Sequence, residues 1–598
     1  MTDNSHVRQR ERNASLRGRR SSPPSGGLTL ALGAIAVAAL VLRVIGLQYG
    51  LPAVYNPDEV AIMARALSFA KGSLNPHNFL YPTFYFYVLF AWVGVYLAFL
   101  YVSGRAGSLA ALNRLYFADP TGLYTAGRAL GAVCGTATAL LVYRLGVRLT
   151  DRRTGLAAAI FIAVAPLAVR DSHYVKHDVF ATMVIVAAYV AMVRVWPAPR
   201  EGGPARRDVL LSGAACGAAF STHYYCVFLA LPLAWVNIQA WRTRGWGRVV
   251  RETALAAASA AALFLILSPF IAVEPLTAWR DITANRAIVV DRAVAAGAFA
   301  PAIRYLQMLW QDSAGLPVIV LGAAGAIWML AAAPARALLL LAFPVPFFAF
   351  ISNTVPASRY LNPVLPFVAL FAAWTLSSLA ARLRARPWMF WAGVAVCAMP
   401  AVAGSIHADL FFRQADTRTL AREYVERHIA AGATVLVQPY SAPLAPSRES
   451  LIEALTRNLG SAEAGSTKFQ LQLSQDPYPA PAYRLIYLGH GGLDAEKVYV
   501  DYPDLGGPDG LRPLRRLGVE FVIVKRYNEP DRETARFLDA LAQEGRRLAV
   551  FSPYRAGTSE IERARTGPFL HNTDTRIGDA LERPGPPLEI WQLDGPGS

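Results

Sequence analysis

Long apolar runs separated by short charged loops dominate the chain as far as residue 406. They fall at 26–48, 122–148, 154–170, 178–196, 209–223, 225–240, 252–272, 316–333, 337–352, 361–380 and 387–406. A helix that crosses a bilayer needs about 20 predominantly apolar residues, so the pattern predicts about eleven transmembrane helices. The shorter runs predict tilted, paired or re-entrant segments. A further apolar stretch, Leu80 to Val102, is long enough to cross. Counted as one crossing, it would throw every later basic loop to the opposite side of the membrane. It is therefore read as an outer-leaflet or re-entrant segment, with an unrecognised partner crossing as the other option. Its start, with Tyr81, Phe84, Tyr85, Phe86 and Tyr87, suits an interfacial position.

From about residue 408 the pattern changes. Asp416 is placed to cap a helix over Thr417–Ala431, which Gly432 ends. Short β-rich runs follow at Ala433–Val437, Arg484–Leu488, Glu520–Val524 and Arg547–Phe551, with a helix at Arg532–Gln543 stopped near Gly545. Helices alternating with short apolar strands predict a small α/β domain. The polar stretch 459–482 reads as loop. The chain divides into a disordered basic tail (1–25), a membrane domain (26–407) and a C-terminal α/β domain (408–598).

Composition agrees. The hydrophobic fraction is 54% and the charged fraction 17%, against roughly 25% charged in an average soluble domain. The net charge of +17 would point to nucleic acid on a soluble protein. Here the Lys and Arg residues sit in loops, so they report topology instead, and no nucleic-acid partner is expected. Basic clusters at Arg8–Arg20, Arg144–Arg153, Arg194–Arg207, Arg242–Arg251, Arg336 and Arg382–Arg386 occupy every second loop. The N-terminus is then cytoplasmic. Segments 49–121, 171–177, 221–225, 273–315 and 353–360, and everything after about 408, are extracytoplasmic. The first apolar run is longer than a signal-peptide core of about 7–15 residues and is read as a retained helix. The four cysteines, Cys134, Cys216, Cys226 and Cys397, lie in apolar runs at spacings that fit no metal motif.

Three polar patches fall on the predicted outer face. Tyr55-Asn56-Pro57-Asp58-Glu59 follows the first helix. Its carboxylates suit a solvated loop, a cap by Asp58 on a helix over Glu59–Ala70, or a general base at the lipid–water boundary. Arg170-Asp171-Ser172-His173-Tyr174-Val175-Lys176-His177-Asp178 joins two spans with far more polar groups than a turn requires. His173 and His177 share a helical face, which suits a metal if Asp178 or His223 joins them. Lys176 and the imidazoles suit a phosphate equally well. Ser358-Arg359-Tyr360-Leu361-Asn362-Pro363 opens a late span, either as an interfacial anchor or as a cation gripping a lipid-linked phosphate. Arg128 has the same two readings and must face protein or a polar cavity.

In this order these elements resemble the GT-C membrane glycosyltransferases, nearest to the bacterial protein-mannosyltransferase-like and aminoarabinose-transferase-like enzymes. The resemblance rests on Asp58-Glu59 after the first helix, Tyr81-Pro82, the His173 to Asp178 patch, and Arg359-Tyr360 with Pro363, across about residues 27–406. It implies a bacterial inner-membrane enzyme transferring a sugar from a polyprenyl-phosphate donor to an acceptor hydroxyl, with inversion. Asp58 would be the general base and Glu59 would assist or orient it. His173, Lys176, Asp178, Arg359, Tyr360, Tyr81 and Arg128 would bind the donor. Some relatives carry Lys-Pro where this chain has Tyr81-Pro82, and Lys176 would then supply the missing cation. No cofactor or metal is expected. The acceptor, whether lipid, glycan or protein, stays open. The rival class is a transporter or flippase for a lipid-linked or small polar solute, which intramembrane charge also serves.

Overall fold

The computed structural model describes residues 26–196, 204–239, 241–287, 290, 299–489, 494–505, 510–526, 531–571 and 577–593. The basic tail 1–25 and Arg200 lie outside these residues. The membrane domain is a bundle of helices: α1 (Gly26–Val44), α2 (Pro57–Ser68), α3 (Phe84–Val102), α4 (Thr121–Leu149), α5 (Arg152–Ala163), α6 (Pro166–Asp171), α7 (His177–Val195), α8 (Arg206–Phe220), α9 (Ala230–Ile238), α10 (Trp246–Leu267), α11 (Leu316–Ala332), α12 (Pro334–Leu341), α13 (Pro344–Ile351), α14 (Leu365–Arg382) and α15 (Pro387–Phe412). The chain is a multi-pass membrane protein.

By length and composition, eight helical segments among the described residues can cross a membrane, or nine if the bent pair Ala300–Gln311 and Leu316–Ala332 counts as one. The bundle of apolar helices expected from the sequence holds. All eleven runs are helical, but the runs at 209–223 and 225–240 give helices of 15 residues, over Arg206–Phe220 and Tyr224–Ile238. At 1.5 Å per residue the first reaches about 22 Å, and the second, whose residues Tyr224–Leu229 are 3₁₀ and rise about 2.0 Å each, about 25 Å, both short of a hydrocarbon core of about 30 Å.

The run at 154–170 breaks between α5 and α6, because Pro166 has no N–H to offer the Ile162 carbonyl. The freed carbonyls find other donors. Arg43, fully buried in α1, donates to Ala163 O at 2.8 Å and Ile162 O at 3.2 Å. Ser405 Oγ on α15 donates to Val164 O at 2.8 Å. Elsewhere small residues let backbones touch. Gly146 meets the Gly155 backbone across α4 and α5, and Gly213 and Gly217 on α8 leave room for the Ala256 and Ala260 carbonyls of α10.

The ends of these helices gather as the loop charges require. Ser221 O accepts from Phe84 N, Leu267 O accepts from Thr83 Oγ1, Asp171 meets Asn362, and Tyr49 stacks on Phe412. The loops after α1, α6, α8, α10, α13 and α15 therefore share one end of the bundle. Helix α3 is long and apolar enough to cross, yet its register is unlike a span that starts at the bundle end and descends. Trp92 Nε1 donates to Ala126 O, and Tyr96 packs on Gly122. Residue numbers thus rise along α3 as they fall along α4. Helix α3 begins beside His177 and Phe180, at the level of the gathered loops, and runs toward the N-terminus of α4.

Helix α15 continues to Phe412, past the expected domain boundary. Helix α16 (Thr417–His428), capped by Asp416, then opens the C-terminal domain. Its sheet has the order β3-β2-β1-β4-β6-β5, with β1 (Thr434–Val437), β2 (Arg484–Leu488), β3 (Tyr499–Val500), β4 (Phe521–Lys525), β5 (Gly545–Phe551) and β6 (Leu588–Leu593). Strands β3, β2, β1 and β4 are parallel, and β6 pairs antiparallel with both β4 and β5. The α/β expectation holds. Strands β3 and β6 lay outside it, and the expected loop 459–482 contains a short helix, Thr467–Leu473. Its Lys and Gln residues hide the apolar period.

Candidate active site

Asn56, not Asp58, caps α2: its side chain accepts from Asp58 N at 3.1 Å, and Pro57 fills the first helical position. Asp58 is thereby released from capping. Its side chain is 48% exposed, while its neighbour Glu59 points inward and is fully buried. Lys176 Nζ lies 2.7 Å from Asp58 Oδ2 and Arg359 Nη2 lies 3.8 Å from the same oxygen. Three loops distant in sequence therefore meet on one carboxylate. Burial works to raise the Asp58 carboxyl, but the two cations outweigh it and hold it down at about 2. Burial and the nearby Arg359 lower the Lys176 ammonium.

Asp178 sits in the first turn of α7, where the helix N-terminus favours a negative charge. Both of its oxygens are buried and lack a hydrogen-bond partner among the described residues, as do His177 Nδ1, His223 Nε2 and Arg359 Nη1. The Tyr81 ring packs on His177 at 4.2 Å and on His223 at 5.2 Å, and the two imidazoles are 5.0 Å apart. The Arg359 guanidinium lies 5.0 Å from the Tyr360 ring centre. Asp58, Lys176, Asp178, Arg359, Tyr360 and Tyr81 thus belong to one neighbourhood. Among the described residues no group of three or more His, Cys, Asp or Glu side chains is placed to hold a metal ion.

Three of the expected site residues face elsewhere. Glu59 does not sit beside the Asp58 carboxylate. It takes Arg128 Nε at 2.9 Å and Nη2 at 2.8 Å, and it accepts from Val175 N at 2.8 Å. Arg128 is equally buried and spends Nη1 on Leu47 O and Tyr49 O. This ion pair braces α2, α4, the loop after α1 and the loop before α7. By holding Val175 it sets the position of Lys176. His173 also turns away: its ring nitrogens meet Val169 O at 3.0 Å and Ile45 O at 2.7 Å, and its ring packs on Phe412. The polar atoms of all three are already taken by protein.

The C-terminal domain reaches the same place. Asp416 pairs with Arg418, whose guanidinium lies 3.8 Å from the Tyr55 ring centre and donates to Leu570 O at 3.1 Å. Phe569 is fully buried against Phe411 and Phe412. The next residue but one, His571, is within electrostatic range of Lys176, Asp58 and Arg359; burial and then Lys176 lower its imidazole to about 4. No sequence signal marks His571, which lies in a polar stretch far from the motifs.

The family profile of dolichyl-phosphate-mannose-protein mannosyltransferases matches residues 122–272. No curated protein is a significant sequence match to the chain. The structure is similar to ArnT from Cupriavidus metallidurans bound to undecaprenyl phosphate, at TM-score 0.51 and 14% identity, covering 89% of this chain and 97% of that one. It is similar to the apo state of the same ArnT at TM-score 0.50 and 12% identity, covering 94% and 98%. The bundle has the fold of the GT-C membrane glycosyltransferases.

Proposed function

We propose, from the GT-C fold and from the acid and two cations at one end of the bundle, that this chain is a membrane glycosyltransferase. It moves a sugar from a polyprenyl-phosphate donor to an acceptor hydroxyl on the extracytoplasmic face, with inversion and with Asp58 as general base. The observation that carries the reading is the contact of half-exposed Asp58 with buried Lys176 and with partly buried Arg359. The acceptor hydroxyl gives its proton to Asp58 while its oxygen forms the new bond to the anomeric carbon. The bond from that carbon to the phosphate oxygen breaks, and the leaving polyprenyl phosphate takes the electron pair. Lys176 and Arg359 receive that charge; removing one such donor typically costs about 10²–10³ in rate. The unpaired polar atoms of Asp178, His177 and His223 are available to the sugar hydroxyls.

In the free site the two cations hold Asp58 near 2, which makes it a weak base. A donor phosphate competes for both of them. Drawing Lys176 and Arg359 toward the phosphate returns basicity to Asp58, so donor binding precedes proton transfer. Glu59 and Arg128 act by position, through Val175 and Lys176. A transporter reading gains nothing here, because alternating access places its site near the bilayer midplane.

The test is transfer by purified protein from a panel of radiolabelled polyprenyl-phosphate sugars into membrane extract. Asp58→Asn keeps size and loses basicity; it abolishes transfer while leaving folding intact. Full activity of Asp58→Asn in a single turnover removes the general base. No transfer by wild type from any donor in the panel removes the enzymatic reading.

A further inference from the structure

Away from Asp58, a cavity of about 480 Å³ opens where α6, α15 and the start of α11 meet the C-terminal domain. A proline-containing helix and a sharp bend in the chain border it. Pro400 lies inside α15, and Gly315 adopts a left-handed backbone with φ +82° just before α11. Arg170, Gln311 and His407 give the cavity a polar wall, and Trp310, Leu316 and Ala403 an apolar one. Arg170 is 4% exposed, yet its Nε has no hydrogen-bond partner among the described residues. Its nearest acid, Asp171, is 3.6 Å away and gives its other oxygen to Asn362 at 2.5 Å. His407 Nε2 is also buried without a partner. Helix α11, 17 residues long, starts at the cavity wall with Leu316 and Pro317, so its positive end faces the cavity. Asp579, the acid in the lining, is exposed. Trp310 and Leu316 in the wall, and Met399 and Ile406 next to its residues Pro400 and His407 on α15, are large apolar side chains left uncovered by protein. In a membrane such a rim faces lipid.

We infer that this cavity binds a lipid with an anionic headgroup, the headgroup on Arg170, His407 and the α11 N-terminus and the chain along α15. One guanidinium, one imidazole and one helix dipole select a negative head; the apolar rim selects a hydrocarbon tail. The site is distinct from the Asp58 cluster but tied to it, since Arg170 Nη2 donates to Ser358 Oγ at 2.8 Å, next to Arg359.

Trp310 in the wall provides the readout. Full-length protein in detergent is titrated with brominated phosphatidylglycerol, with brominated phosphatidylcholine, and with the former in the presence of millimolar inorganic phosphate. The quenching assigned to the site is the difference between wild type and Trp310→Phe. That difference saturates with phosphatidylglycerol, is absent with phosphatidylcholine, and resists phosphate. Arg170→Gln weakens it roughly tenfold, as loss of one charge-assisted hydrogen bond predicts, and Arg170→Lys restores most of it. Ala403→Phe, which fills the cavity without touching the polar wall, removes it and keeps the inference testable if Arg170→Gln fails to fold. Equal quenching by both lipids, or quenching unchanged in Ala403→Phe, means ordinary boundary lipid and overturns the inference. Displacement by inorganic phosphate means a soluble-anion site and overturns the choice of a lipid.

Discussion

Glu59→Gln separates a catalytic Glu59 from a bracing one. In the folded protein Oε2 accepts from both Arg128 Nε and Val175 N, and Oε1 accepts from Arg128 Nη2. Glutamine must put an amide nitrogen at one of these positions. At Oε2 it would face two donors, so the milder choice is Oε1, where it faces the Arg128 guanidinium donor to donor. Either way Arg128, 1% exposed, loses its counter-charge in a site that water does not reach. Breaking a buried pair from one side costs about 3–5 kcal/mol. The double variant Glu59→Gln/Arg128→Met removes the stranded charge but leaves the Leu47 and Tyr49 carbonyls without their donor. Each costs about 1–3 kcal/mol, so recovery is partial. Because membrane proteins often unfold irreversibly, the assay is the half-life of monodisperse protein at fixed temperature, read by size exclusion beside transfer activity. Glu59→Gln shortens that half-life sharply and lowers activity in proportion to the folded protein lost and the displacement of Lys176. Asp58→Asn abolishes activity with a smaller loss of half-life, because Asp58 is half-exposed and the asparagine Oδ1 can still accept from Lys176 Nζ. A Glu59→Gln protein as durable as wild type but inactive would refute the bracing role and put Glu59 into the chemistry.

Other consequences are equally direct. Arg43→Leu takes the side-chain donor from the Ala163 carbonyl at the α5–α6 break, while Ile162 O keeps Ala165 N at 3.4 Å; at about 1–3 kcal/mol for the Ala163 carbonyl, thermal half-life falls, and an unchanged half-life would show that other donors serve the break. In Lys176→Met the Asp58 carboxyl climbs from about 2 toward its ordinary 3.8, held partly down by Arg359. Since the folded protein favours the ionised form, the associated stability is present above the ordinary value and is lost as pH falls through about 2 in wild type, and at higher pH in the variant. The protonated-carboxyl infrared band, assigned by its absence in Asp58→Asn, tracks this, and an unmoved titration would deny Lys176 its role. A reporter active only in the cytoplasm is silent when fused at Ser598; a strong signal there would overturn the extracytoplasmic placement of the site.

Hydropathy and loop charge by themselves determined the helical bundle, the grouping of loops at one end, and the α/β character of the C-terminal domain. Those features follow from transfer free energy and period, which each segment carries locally. The patch Asp58, Lys176 and Arg359 was legible because polar side chains at the ends of apolar runs need a reason. Sequence did not settle which way each one points. Adjacent residues on a helix start diverge by about 100°, so Asp58 faces the site while Glu59 enters the core to meet Arg128. His173 carries the same side chain as His177, but a turn after α6 gives its nitrogens to backbone carbonyls. Helix ends depend on neighbours: Pro166 breaks a run that hydropathy reads as continuous, and the break persists because Arg43 and Ser405, distant in sequence, take up its carbonyls. The place of His571 beside Lys176 came from tertiary structure alone. It depends on Phe569 finding Phe411 and Phe412 and on Arg418 finding Leu570 O, contacts between segments more than a hundred residues apart, which no local pattern encodes.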